Sequence, residues 1–142
     1  DKDAVRATKD VDLLVRRESL SAMETALEQI DFEFVEVHGV QMFVDKADPS
    51  PKRGVHLVLC NEKVRPHYAH PNPDLGNAIR SESGFMVVDL LSLVMMKLQA
   101  FRDIDRAHMR DLLSVGVLTA EVASQLPTDL RERLRQIEQT PE

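Results

Sequence analysis

Cysteine is nearly absent from this chain. One thiol, Cys60, in 142 residues excludes an internal disulfide and any paired-cysteine zinc site, and nothing points to an oxidising compartment. Long apolar runs are missing too. None approaches the ~20 residues that a membrane-crossing helix needs, and no secretory leader pattern is visible. An excess of basic charge is also lacking. The formal net charge of −6 leaves no broad positive field, which argues against long duplex nucleic acid as a partner. No internal repeat or low-complexity segment occurs. These absences describe a soluble, cytoplasmic protein with no membrane partner. Its 43% apolar and 30% charged residues are ordinary for a globular fold, and its length suits one domain with a real core.

What is present is a conflict in residues 6–15, "RATKDVDLLV". The run Val11–Val15 is β-branched and apolar, as a buried strand is. Alternation puts Val11, Leu13 and Val15 on one face and Asp10, Asp12 and Leu14 on the other. Two acids on one face, roughly 7 Å apart at the backbone, repel one another and are costly to bury. A divalent metal, or a pair of metals ~3.5–4 Å apart, relieves that repulsion. Oxygen ligands at this spacing suit Mg²⁺ or Mn²⁺ completed by phosphate oxygens. The plainer alternative pairs Asp10 with Lys9 or Arg6.

Periodicity sets out the rest. Leu20, Met23, Ala26, Leu27 and Ile30 recur at helical spacing. "FEFVEV" (32–37) alternates as a half-exposed strand does, and His38-Gly39 suits a turn returning through "VQMFV" (40–44). A loop leads to a second apolar strand, "VHLVL" (55–59). Residues 60–84, with Pro66, Pro71 and Pro73, predict an ordered surface excursion. "FMVVD" predicts a short strand ending at Asp89, a helix N-cap. The segment 90–101 is apolar nearly all round and predicts a deeply buried helix. A second helix over 105–116 closes at Gly116, Thr119 caps a third, and Pro127 opens a fourth. The fold class is α/β (α+β): a mixed sheet flanked by helices, with sheet-forming residues 1–88 and helical residues 89–142 in a single domain.

Further candidates follow. Lys97 is the single charged side chain between Leu90 and Phe101, so it must reach solvent or find an anion; near a phosphate its point charge would stabilise developing negative charge. Arg102, Asp105, Arg106, His108, Arg110 and Asp111 predict an outer-face ion-pair array, and Asp111, bordering Leu112-Leu113, is placed to orient Lys97. Cys60, His67 and His70 fit zinc spacing poorly. "NEKVR" (61–65) reads as a solvated loop, or as a basic lip to a phosphate cleft.

Taken together, "RATKDVDLLV", "VHLVLCNEKVRP" and "VVDLLSLVMMKLQAFRDIDRAHMRDLLSVGVL" resemble the nucleotidyltransferase superfamily, with the nearest likeness to small bacterial proteins related to abortive-infection type toxins. The resemblance spans most of the chain. It implies a sheet with flanking helices and two-metal transfer of a nucleoside monophosphate from a nucleoside triphosphate to an acceptor hydroxyl on RNA, protein or a small molecule. Asp10 and Asp12 would then bind Mg²⁺ or Mn²⁺. Arg6 and Thr8 match the polar lead-in to the acidic pair, Lys97 the late-helix lysine, and Asp111 the acid after it, as substrate-binding residues. An antitoxin becomes an expected partner. Two positions depart from the family pattern. The glycine turn that cradles the triphosphate belongs upstream of Arg6, where nothing supplies it: either an N-terminal helix and strand precede the abrupt polar start, or the protein lacks the motif. The third acid on the later strand is replaced by His56, which would act as the base. The alternative is an inactive relative that keeps the fold as a binding or regulatory module, or one half of a protein pair.

Overall fold

The structure, a computed structural model, describes residues 11–140. It is mixed α and β and separates into two compact units, residues 11–76 and residues 77–140. No helix among the described residues is long and apolar enough to cross a membrane.

The first unit is a four-stranded sheet with one helix. Strands β1 (Val11–Val15), β2 (Phe32–Val37), β3 (Val40–Asp45) and β4 (Val55–Leu59) lie in the order β1-β4-β3-β2. β1 runs parallel to β4, and the other neighbours are antiparallel. β2 and β3 form a hairpin in register Val37↔Val40. Its two loop residues, His38 and Gly39, have φ of 51° and 79°, the two positive values of the tight turn whose twist matches that of the strands. Phe43 and Val44 on β3 are almost fully buried, and the Phe43 ring meets Phe34 edge-on at 5.7 Å. β1 is less covered than its composition predicts. Among the described residues it is an edge strand, and Val11 and Leu13 are exposed.

Between β1 and β2, a 3₁₀ turn (Arg17–Ser19) leads into α1 (Leu20–Glu28). Leu20, Met23 and Leu27 are half-buried, as their spacing requires. Ile30 falls beyond the helix end and is exposed; the chain turns there through Asp31 at φ 63°, a conformation that Asp tolerates better than most residues.

The excursion after β4 is tied back to the sheet. Asn72, itself buried, donates from Nδ2 to the Leu59 carbonyl at 2.9 Å, and its backbone bonds to Asn61 and Glu62. Arg17 grips Glu62 with two bonds of 2.7 and 2.8 Å, and Arg16 holds Asp74 at 3.1 Å. Both acids sit below their ordinary range: Glu62 through its Arg17 bonds, Asp74 through the Leu75 N–H and then Arg16. Glu62 thus fastens the loop, while Lys63 and Arg65 are exposed.

The second unit opens with a two-stranded ribbon, β5 (Ile79–Arg80) and β6 (Met86–Val87). The strand expected to run to Asp89 is this short because Phe85, Met86 and Val87 are exposed and only two of its residues find a pairing partner. Helices α2 (Leu90–Ala100), α3 (Asp103–Ser114), α4 (Ala120–Ser124) and α5 (Thr128–Gln139) follow. Asp89 caps α2 by accepting from the Ser92 N–H, Thr119 caps α4 through Val122, and Gly116 at φ 76° follows the end of α3, each where the sequence places it. No residue of α2 is exposed. Val94, Leu98, Met109, Leu118, Leu126, Leu130, Leu134 and Ile137 form one core.

At the end of α2, Phe101 takes the left-handed conformation at φ 53°. Arg133 of α5 donates to the Leu98 and Gln99 carbonyls at 2.7 and 2.9 Å, satisfying groups the helix end leaves open. The guanidinium groups of Arg106 and Arg133 lie 5.1 and 5.2 Å from the centre of the Phe101 ring, within cation–π range.

Leu98 is fully enclosed, so Leu98→Ala should cost about 2–5 kcal/mol through lost burial and a residual cavity. Urea denaturation followed by far-ultraviolet circular dichroism measures this; a loss within error of zero would mean that the helical core is not packed as described.

Candidate active site

Strand register brings two of the predicted residues together. Parallel pairing sets Asp12 opposite His56, and antiparallel pairing sets His56 opposite Met42. Directly opposed residues share a sheet face, so Asp12, His56 and Met42 form one row across three strands. Asp12 is exposed and the His56 ring is half-buried; His56 Nδ1 lies 3.7 Å from Asp12 Oδ1.

The other ring nitrogen narrows what this pair can do. His56 Nε2 sits 3.4 Å from the Pro51 carbonyl. A carbonyl only accepts, so a bond there requires the proton on Nε2. In the neutral ring Nδ1 then presents a lone pair toward a carboxylate. Two acceptors facing each other across 3.7 Å attract a proton or a cation between them. Asp12 and His56 would be the described residues to hold a divalent metal, which would supply positive charge against a phosphate. The mixed nitrogen and oxygen donor set suits Mn²⁺ better than Mg²⁺. One carboxylate and one imidazole form only part of a coordination shell, and among the described residues no group of three or more His, Cys, Asp or Glu converges as a metal site. Asp10, Arg6 and Thr8 lie outside the described residues.

Comparison of the chain with models of known protein families, with curated proteins and with solved structures finds no match. The chemistry of the site therefore rests on its own residues.

Lys97 belongs to the helical unit, where its partner is Asp105. Lys97 Nζ donates to Asp105 Oδ1 at 3.2 Å, and Arg102 donates through Nε (2.7 Å), Nη2 (3.2 Å) and its backbone N–H (3.1 Å). Asp105 is 1% exposed. This corrects the outer-face array expected for these residues: Asp105 points inward, and it, rather than Asp111, is the acid in contact with Lys97. A usable signal was present. Asp105 stands three residues after Arg102, the N-cap of α3, where an acid reaches back to the first open N–H of a helix. Arg106, by contrast, pairs on the surface with Asp103, as an exposed array would. Arg110 donates to the Thr140 carbonyl. His67 packs edge-on against Tyr68 at 5.0 Å, and Cys60 is buried, where loss of solvent pushes its thiol up.

Burial by itself pushes the Asp105 carboxyl up. The hydrogen bond and charge of Arg102, then the charge of Lys97 and the Arg102 backbone N–H, pull it down by more, and the net shift is below the ordinary 3.8. A carboxyl lowered on folding contributes stability that is complete above its unfolded value and is lost as pH falls through the folded one. Asp105→Asn should therefore destabilise the helical unit by about 3 kcal/mol at neutral pH, the low end for breaking a buried pair, because the Arg102 side chain can reach water. Denaturation midpoints taken downward from pH ~4 should converge for variant and wild type; a gap independent of pH would refute the ionic account.

Proposed function

We propose that this chain is a metal-dependent nucleotidyltransferase, moving a nucleoside monophosphate from a nucleoside triphosphate to an acceptor hydroxyl in the cytoplasm. The observation that carries this reading is Asp12 set in register opposite His56, with a carboxylate oxygen and the Nδ1 ring nitrogen 3.7 Å apart. Asp10 and Asp12 are the carboxylates assigned to Mg²⁺ or Mn²⁺, which when bound would neutralise the triphosphate. His56, held by the Pro51 carbonyl, takes the proton of the acceptor hydroxyl on Nδ1. Arg6 and Thr8 are assigned to the phosphates, as the resemblance implies; Lys97, steadied by Asp105, belongs to the helical unit. The acceptor is RNA, a protein side chain or a small molecule, and an antitoxin is the regulatory partner that the toxin resemblance implies.

A non-catalytic binding role is the second reading. The histidine at the position of the third acid favours it, because a neutral imidazole adds less affinity for a hard cation than a carboxylate does.

Labelled nucleoside triphosphates supplied with Mg²⁺ or Mn²⁺ should leave label on the acceptor. His56→Ala should lower turnover by roughly 10²–10⁴-fold, the usual worth of a general base. Transfer unaffected by His56→Ala removes the role given to His56 and leaves the transferase standing; absence of transfer from every nucleotide favours the binding role.

Metal binding gives a separate test. Mn²⁺ alone should bind weakly, because few protein donors complete its shell, and addition of a nucleoside triphosphate should tighten it. Equal Mn²⁺ affinity for wild type and Asp10→Asn/Asp12→Asn, with nucleotide present, would exclude these acids as the metal site.

A further inference from the structure

The row that begins with Asp12 and His56 does not end there. Beyond His56, on the side away from Asp12, the same face opens into a cleft of about 610 Å³. That volume lies within the ~300–1,000 Å³ typical of small-molecule sites. Its walls are the apolar side chains of Val37, Val40, Met42 and Pro51. Around them stand Lys52, His38 and His56. No acid lines the cleft, although the chain as a whole is acidic.

Two features make this a shaped site. Gly54 packs against Met42, one of the lining residues: a Cβ there would come within 2.8 Å of the Met42 sulfur, so glycine lets the loop close down on the thioether. The charges on that loop are also unequally used. Arg53 is paired with Asp48 at 3.1 Å, whereas Lys52 makes no ion pair among the described residues and stands at the cleft.

We infer that this cleft binds a small amphipathic organic anion, its apolar body against Val37, Val40 and Met42 and its acidic group at Lys52. The complementarity is one of both hydrophobicity and sign. A polyanion such as RNA would need a track of several cations and stacking rings, which this cleft does not offer. The inference goes beyond the transferase reading: the cleft shares His56 with that site, but its apolar walls and Lys52 have no part in it.

The probe is anilinonaphthalenesulfonate, an apolar ring system with one anionic group, titrated by fluorescence beside its uncharged relative N-phenylnaphthylamine. No nucleotide or metal is added. The anionic probe should saturate at one site per chain. Lys52→Gln, a change at an exposed side chain, should weaken it about threefold to fivefold, the worth of an exposed ion pair, and leave the neutral probe nearly unchanged. Val40→Glu should weaken both by about tenfold or more, because it sets a charge against their apolar bodies. Asp12→Asn should change neither. Because the ribbon also exposes apolar groups at Phe85 and Met86, Phe85→Ser serves as a control and should likewise change neither. Absence of saturable binding, indifference of the anionic probe to Lys52→Gln, or loss of binding on Phe85→Ser with Val40→Glu silent would each overturn the inference. None of these outcomes bears on nucleotidyl transfer, which its own assay decides.

Discussion

The parallel pairing of β1 with β4 is the constraint on which the rest of the first unit depends. Strand alternation has a period of two, so a slip of one residue would turn Asp12 to the opposite face and bring a valine or leucine beside His56. The apolar pairs Val11↔Val55 and Leu13↔Leu57 fix the register from within the ladder. Beyond the strand end, the Cys60 N–H donates to the Val15 carbonyl at 2.8 Å. Arg16 and Arg17 then reach forward to Asp74 and Glu62 on the excursion that follows β4. The same two strands are thus fastened by their side chains, by one backbone bond past their ends, and by two exposed ion pairs. The exposed pairs add little energy individually; their contribution is geometric, because they resist sliding of one strand along the other.

The second unit solves a different problem. A carboxylate as buried as Asp105 is tolerable only when its oxygens are filled with donors. Four donations, one from Lys97 and three from Arg102, supply them. They also join the last turn of α2 to the first turn of α3, so the polar centre helps define the geometry of the bend between the two helices. Lys97 is therefore an oriented cation, not a side chain extended freely into water.

Most elements were legible in the sequence because their signals are local. Alternation marked β2 and β3, helical spacing marked α1, and Asp89, Gly116 and Thr119 marked helix ends with residues whose capping chemistry is specific. The shortness of β6 and the exposure of β1 were not legible, since both depend on which strand lies alongside. The site divides in the same way. Asp12 and His56 could each be chosen from residue type and setting, but their apposition required a register linking residues 44 positions apart in the chain. Asp105 was misassigned because helix-face reasoning counts neighbours on one helix and is blind to a lysine on the preceding one.

The turn at Phe101 has a consequence for how the helical unit opens. An aromatic residue in a left-handed conformation costs roughly 1–2 kcal/mol, and a helix end built on it would ordinarily be the first part to fray. Here the terminal carbonyls and the ring are both held by Arg133, which lies on α5. The last turn of α2 therefore cannot loosen without releasing a side chain from the far end of the sequence. Its amide protons, beginning with the one Phe101 donates to the Lys97 carbonyl at 2.9 Å, should therefore exchange together with those of α5.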